Sequence, residues 1–184
     1  LLNVYYGGGP FVYLSGELIK YNVNSFADSS GLDLTNGNVS ILGPLGGTVS
    51  YMISKSFGLG FDVNYTDVNY SCNFSYINSS GNDTLSYNKF GRTILRIMPR
   101  FDYHFAKNDK FDGYCGVAFG FRQPVWYIET NHPGADPFVE EGNIPIAFRT
   151  TVGGTYYLMG NLGLNVEIGL FGGGLVSGGL TLKL

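Results

Sequence analysis

From Phe148 to the end of the chain, apolar residues and glycines recur at every second position. Phe148, Val152, Gly154, Tyr156 and Leu158 share one parity. Beyond Gly160-Asn161 it continues through Leu162, Leu164, Val166, Ile168 and Leu170, then Val176, Gly178, Leu180, Leu182 and Leu184. The other parity carries Arg149, Thr151, Thr155, Asn165, Glu167, Ser177, Thr181 and Lys183. A period of two with charge confined to one side describes antiparallel strands with two unlike faces.

Extended along the chain, the pattern predicts eight strands, at residues 2–14, 41–54, 57–74, 92–106, 111–128, 144–159, 162–171 and 175–184. The connectors Ser54-Lys55-Ser56, Ala106 to Lys110, Gly160-Asn161 and Phe171 to Leu175 are short. Segments 15–40, 75–91 and 129–143 are long, polar and rich in Asn, Ser, Asp and Gly, which predicts loops. Short turns on one rim and long loops on the other are the pattern of an outer-membrane barrel.

Trial registers place long polar side chains opposite small ones. Pairing Leu158 with Leu162 sets Gly153 against Glu167 and Thr155 against Asn165. Pairing Leu162 with Leu184 sets Gly179 on the other flank of Glu167. Pairing Phe105 with Phe111 sets Arg100 against Gly116, Arg96 against Gly120 and His104 against Asp112. Pairing Ile53 with Phe57 sets Met52 against Gly58, Ser50 against Gly60 and Thr48 against Asp62. A narrow bore filled by side chains needs such alternation. The opposite face, with Leu45, Val49, Phe61, Val63, Ile97, Phe101, Phe119 and Phe121, carries no ionisable carboxylate or cation. So many aromatics do not fit inside a small barrel, so the apolar face is expected to point outward, into lipid. A soluble lipocalin-like barrel would need the reverse. Pro99 falls on that apolar face and predicts a bulge. Near Thr66-Asp67-Val68 the alternation slips, as where a strand leaves the membrane.

Composition narrows the field. The chain has 184 residues, enough for one domain spanning 1–184, and only 14% are charged. A net charge of -3 offers no footprint for nucleic acid. No apolar run approaches the ~20 residues of a membrane helix. Mean hydropathy near zero is compatible with a strand-spanning protein, whose faces average out. No signal peptide is visible, so the chain reads as a mature or trimmed form. Cys72 and Cys115 make no framework, and lie at different heights on the strand map. Tyr51, Phe57, Tyr103, Phe105, Phe111 and Tyr156 cluster near the short turns, as an interfacial girdle would.

On these features the chain resembles the small eight-stranded outer-membrane barrels of Gram-negative bacteria, the OmpX-like and OmpA-transmembrane-like group. The likeness covers the whole chain and rests on pattern. It implies an all-β, closed, antiparallel, up-and-down transmembrane barrel, integral to the bacterial outer membrane, with termini on the periplasmic side and three long loops outside. The group's C-terminal assembly strand usually ends in an aromatic residue; GGLTLKL alternates correctly but ends in Leu184. No periplasmic domain is expected after it.

The inward charges are Asp62, Arg92, Arg96, Arg100, Asp102, His104, Asp112, Arg122, Arg149, Glu167 and Lys183. Asp62, Arg96, Arg100, Arg149, Glu167, His104 and Asp112 form the candidate lumen network. Asp62 and Glu167 are expected to accept from Arg96, Arg100 or Arg149, because an unpaired buried charge costs several kcal/mol. Eight strands leave room for side chains but not for a water column, favouring a self-neutralising plug over an ion path. Some barrels of this size modify lipid A, which requires a His with a nearby Ser and carboxylate. His104 has no evident serine beside it. His132 sits among Glu129, Asp136, Glu140 and Glu141, oxygen donors without a calcium-loop order, and reads as a solvated acidic loop. The Asn-x-Ser/Thr motifs at Asn64, Asn69, Asn73, Asn78 and Asn82 read as an Asn/Ser-rich exposed loop. The glycine runs, Gly7 to Pro10 among them, precede no helix and read as barrel glycines. No catalytic residue, metal or cofactor is expected. The function read from the chain is structural: a loop-presenting scaffold or accessory subunit of a larger outer-membrane complex, contacting outer-membrane lipid and lipopolysaccharide. The alternatives are a lipid A-modifying enzyme, a narrow channel and a soluble binder of apolar ligands.

Overall fold

The structure, a computed structural model, describes residues 1–184 except Ser79, Asn143 and Ile144. Its strands are β1 (Leu2–Gly8), β2 (Leu34–Met52), β3 (Phe57–Ile77), β4 (Asp83–Lys107) and β5 (Phe111–Thr130). They continue with β6 (Phe138–Glu141), β7 (Ile146–Met159), β8 (Leu162–Phe171) and β9 (Val176–Leu182), and one helix, α1 (Pro10–Ser30), follows β1. Among the described residues all strands except β6 form a closed, eight-stranded antiparallel barrel in meander order, shut by β1 on β9 and β4 on β5. The short β6 pairs with the far end of β5, on the edge that β7 occupies lower down. The predicted strand 144–159 begins on Ile144, outside the described residues. The Asn78 motif also includes one of these, Ser79.

Three predicted loops take other forms. Residues 2–14 do not make one strand: Gly9, at φ 149°, ends β1, and Pro10 opens α1, which runs into the expected loop 15–40, so a helix does follow the Gly7 to Pro10 run. Proline suits that first helical position, where its missing N–H has no partner to lose. Gly31, at φ 66°, closes the helix in the left-handed conformation, its N–H directed to the carbonyls of Ala27 and Asp28. In segment 75–91 the strands run on, β3 to Ile77 and β4 from Asp83. Segment 129–143 contains β6.

The barrel is therefore lopsided. β2 to β5 rise as a tall wall, while β1, β7, β8 and β9 stop low. β4 has 25 residues, against the ~9–11 that cross a bilayer. Along β3, in the middle of the tall wall, both faces change chemistry at one level. Below it β3 turns Asp62, Asn64 and Thr66 inward and Phe61, Val63 and Tyr65 outward. Above it the inward residues are Val68, Tyr70, Cys72 and Phe74, and the other face carries Asp67, Ser71, Asn73 and Ser75. The alternation does not slip at Thr66-Asp67-Val68. Its parity persists while the polarity of each face inverts.

Helix α1 covers the apolar upper wall from within. Val12, Gly16, Ile19, Val23 and Ala27 recur at helical spacing and are buried. With Val68, Tyr70, Cys72 and Phe74 they form the largest apolar cluster. Each such Val, Ile or Phe contributes roughly 1.5–3 kcal/mol of transfer free energy when fully buried. The Tyr70 hydroxyl donates to Asn24 Oδ1 at 3.0 Å, fixing the helix along the wall. In β2 a bulge between Leu42 and Leu45, containing the buried Pro44, switches strand parity, which brings Val39 and Ile41 inward against α1.

Registers agree with expectation in two hairpins and differ in two. Met52–Gly58, Ser50–Gly60 and Thr48–Asp62 are paired, as are Gly153–Glu167 and Thr155–Asn165. Between β4 and β5, however, Arg100 faces Ala118, Asp102 faces Gly116, His104 faces Tyr114 and Arg96 faces Arg122. The ladder lies two positions from the expected one, with a one-residue bulge between His104 and Ala106. Between β8 and β9, Leu162 faces Leu182, so Ser177 lies opposite Glu167 and Gly179 opposite Asn165. At Pro99 there is no bulge: β3 pairs through it, and the β5 register is the same on either side. Losing one donor weakens a ladder without shifting it.

Candidate functional site

The lower bore is filled by ionic and polar side chains. Glu167 on β8 is 3% exposed and accepts from Arg100 Nη2 at 2.7 Å and Arg149 Nη2 at 2.8 Å. Arg100 Nε also donates to Asp102 at 2.7 Å, and its Nη1 stands 3.8 Å from Asp62. Asp62, fully buried, accepts from the Tyr5 hydroxyl at 2.9 Å, Asn64 Nδ2 at 2.8 Å and Thr48 at 3.2 Å. Tyr114 donates to Glu167 at 3.1 Å and accepts from Asn165 at 2.8 Å. These bonds link β1, β2, β3, β4, β5, β7 and β8 across the interior.

Glycine gives the tyrosines room. A Cβ at Gly46 would lie 2.6 Å from the Tyr5 ring, and one at Gly153 would lie 2.8 Å from the Tyr114 hydroxyl. Neither tyrosine belonged to the expected network, although both share the inward parity of their strands. Reading charge alone passes over a phenol that completes a carboxylate's hydrogen bonds.

Six of the seven candidate network residues fall into two groups. Asp62, Arg100, Arg149 and Glu167 form one assembly. His104 and Asp112 form another near the short-turn rim, Nδ1 to Oδ1 at 2.6 Å. Among the described residues His104 Nε2 has no hydrogen-bond partner, so no hydroxyl is bonded to this pair. Arg96 stands apart. Its Nη1 donates to Asn64 Oδ1 at 3.0 Å and Thr66 Oγ1 at 3.1 Å, and to neither Asp62 nor Glu167. Lys183 is exposed at the rim rather than enclosed.

Other candidates separate. The His132 ring packs 4.4 Å from Tyr76, and the described residues hold no group of three metal-ligating side chains. Cys72 and Cys115 are both free thiols. Burial beneath α1 pushes the Cys72 thiol up to about 11. Burial, with the neighbouring Cys72, also raises the Tyr70 phenol. Helix α1 keeps a second apolar stripe uncovered, with Phe11, Leu14, Leu18 and Tyr21 exposed.

No known protein family matches the chain, and no curated protein does.

Proposed function

We propose that this chain is a non-enzymatic, integral outer-membrane barrel of the OmpX-like kind, acting as a scaffold that presents its loop-side wall or docks as an accessory subunit on a larger outer-membrane complex. The observation that carries this reading is the inversion at one level of β3 in the tall wall. Below Asp67 and its ladder partner Thr93, the exterior is a band of exposed Phe, Tyr, Leu, Ile and Val. Above them the outer face of β3 turns polar, with Ser71, Asn73 and Ser75. An exterior apolar below and hydrophilic above suits a strand leaving lipid for water. The exposed Tyr51, Phe57, Tyr103, Phe105, Phe111 and Tyr156 support an interfacial girdle at the other rim.

The interior supports a structural role. A bore crossed by charge-assisted hydrogen bonds favours a plug over an ion path. A His–Asp pair with no hydroxyl on the free ring nitrogen favours a scaffold over acyl transfer. The uncovered stripe of α1 supports docking, because contiguous exposed apolar surface marks interaction sites. Mild-detergent purification from native membranes, with identification of co-purifying proteins, is the test. Recovery in the detergent-soluble membrane fraction together with a stoichiometric outer-membrane partner is expected. A protein that stays dispersed without detergent would overturn the reading.

A further inference from the structure

Above the paired charges the bore becomes cationic. Arg96 on β4 and Arg122 on β5 stand directly opposite in the ladder, and Arg92 follows on the same face of β4. Like charges at opposed cross-strand positions repel. Arg96 is only 8% exposed, and the two side chains it donates to are neutral. Asn64 relays it to Asp62, whose charge already answers Arg100. Arg92 stacks 4.9 Å from the Trp126 ring centre, and its buried Nε has no hydrogen-bond partner. Among the described residues neither Arg92 nor Arg96 is paired with a carboxylate.

These three arginines line one part of a cavity of about 380 Å³, within the span of small-molecule sites. Its other walls are apolar: Val68 and Ile94 from the tall wall, Phe11 from α1, Leu170 and Phe171 from the low rim. Phe171 holds φ at 64°, a left-handed conformation uncommon for a bulky side chain. Strain of this kind gathers at ligand sites.

The geometry points to a binding site for a single-chain anionic amphiphile, its carboxylate or phosphate on Arg92 and Arg96 and its hydrocarbon against Val68, Ile94 and Leu170. The buried Arg96 and half-buried Arg92, with no carboxylate of their own among the described residues, call for a counter-charge, and their planar forks match the oxygens of either head group. The apolar walls select a tail, since a bare anion would leave them wet. The site lies at the low rim, between α1, the inner face of the tall wall and the end of β8, and does not rest on any partner.

The chain carries a single tryptophan, Trp126, stacked on Arg92, so the site has its own reporter. The test is calorimetric titration of the full chain in a neutral maltoside detergent with sodium dodecanoate, dodecyl phosphate, 1-dodecanol and inorganic phosphate, with Trp126 emission followed in parallel. Saturable binding of at least one anionic amphiphile is expected, at least about 10-fold tighter than dodecanol, the factor one charge-assisted hydrogen bond supplies. The stronger of dodecanoate and dodecyl phosphate identifies a fatty carboxylate or a lipid phosphate as the source. Arg96→Gln and Arg92→Gln are each expected to weaken binding about 10-fold while keeping the folded gel mobility. Dodecanol binding as tightly as both anions, inorganic phosphate binding as tightly as dodecyl phosphate, or no saturable binding would overturn the site. So would unchanged affinity in both folded variants. The wild-type comparison stands even where a variant fails to fold.

Discussion

Arg100 on β4 donates to Glu167 on β8 at 2.7 Å, a bond that crosses the bore between strands that are not neighbours in the sheet. Backbone ladders tie each strand only to the next. This contact and the Arg149–Glu167 bond brace the barrel from inside.

Glu167→Leu removes the acceptor of both arginines and leaves their charges buried. A loss of about 3–5 kcal/mol is expected, the range for breaking a buried ion pair by deleting one partner. A urea unfolding series read by the heat-modified gel shift checks it. An unchanged midpoint would show that the network does not brace the barrel.

Phe61 and Asn73 lie on β3, one below and one above the level at which its faces invert. In lipid vesicles, Phe61→Arg is expected to cost about 2–4 kcal/mol, as for a cation placed on a lipid-facing strand near mid-bilayer. Asn73→Arg is expected to stay within about 0.5 kcal/mol, as for ordinary surface changes. Equal costs at the two positions would refute a bilayer edge between them.

Val23 is buried where α1 meets the tall wall. Val23→Asp places a carboxylate there with no partner and is expected to undock the helix while the barrel persists. Limited proteolysis should then cut within residues 10–31, with the folded gel mobility retained. Resistance equal to wild type would show that the helix is held by something other than this apolar contact.

Cys72 reports the same contact. With its thiol pushed up to about 11, little thiolate exists near neutrality, and maleimide labelling in a Cys115→Ser background should be slow. The folded state holds this proton more tightly than the unfolded chain does. The contact is therefore fully stable below about pH 9, where an unburied thiol would titrate, and weakens as pH rises towards 11. Val23→Asp should speed labelling by at least about 10-fold, because undocking restores the ordinary thiol, and lowering a thiol pKa by one raises its thiolate about tenfold near neutrality. Rapid labelling of the Cys115→Ser protein at pH 7 would refute burial beneath α1.

Helix α1 was hidden from strand-period reading for an identifiable reason. The spacing Val12, Gly16, Ile19, Val23, Ala27 is present, with Pro10 and Gly31 as its bounds. Yet Leu14, Leu18, Tyr21 and Phe26 occupy other sides, so only a narrow polar stripe of Glu17, Lys20, Asn24 and Asp28 announces an amphipathic helix. The segment therefore reads as a strand running into a loop. Register was legible where turns are regular, as at Ser54-Lys55-Ser56. It was displaced by two between β4 and β5 and between β8 and β9, because a slip of two keeps every side chain on its own face and so leaves no mark in parity.

The alternation by itself determined the closed eight-stranded barrel and which side chains face the bore, since a period of two admits only two faces. Parity also enclosed Asp62, Arg100, Arg149 and Glu167 together. Which charges touch was decided only by tertiary structure, because contacts across the bore depend on register and strand height, which no local pattern encodes. Closure joined Glu167 to Arg100 and Arg149, left Arg96 facing Arg122, and laid α1 over a wall whose inner face had turned apolar.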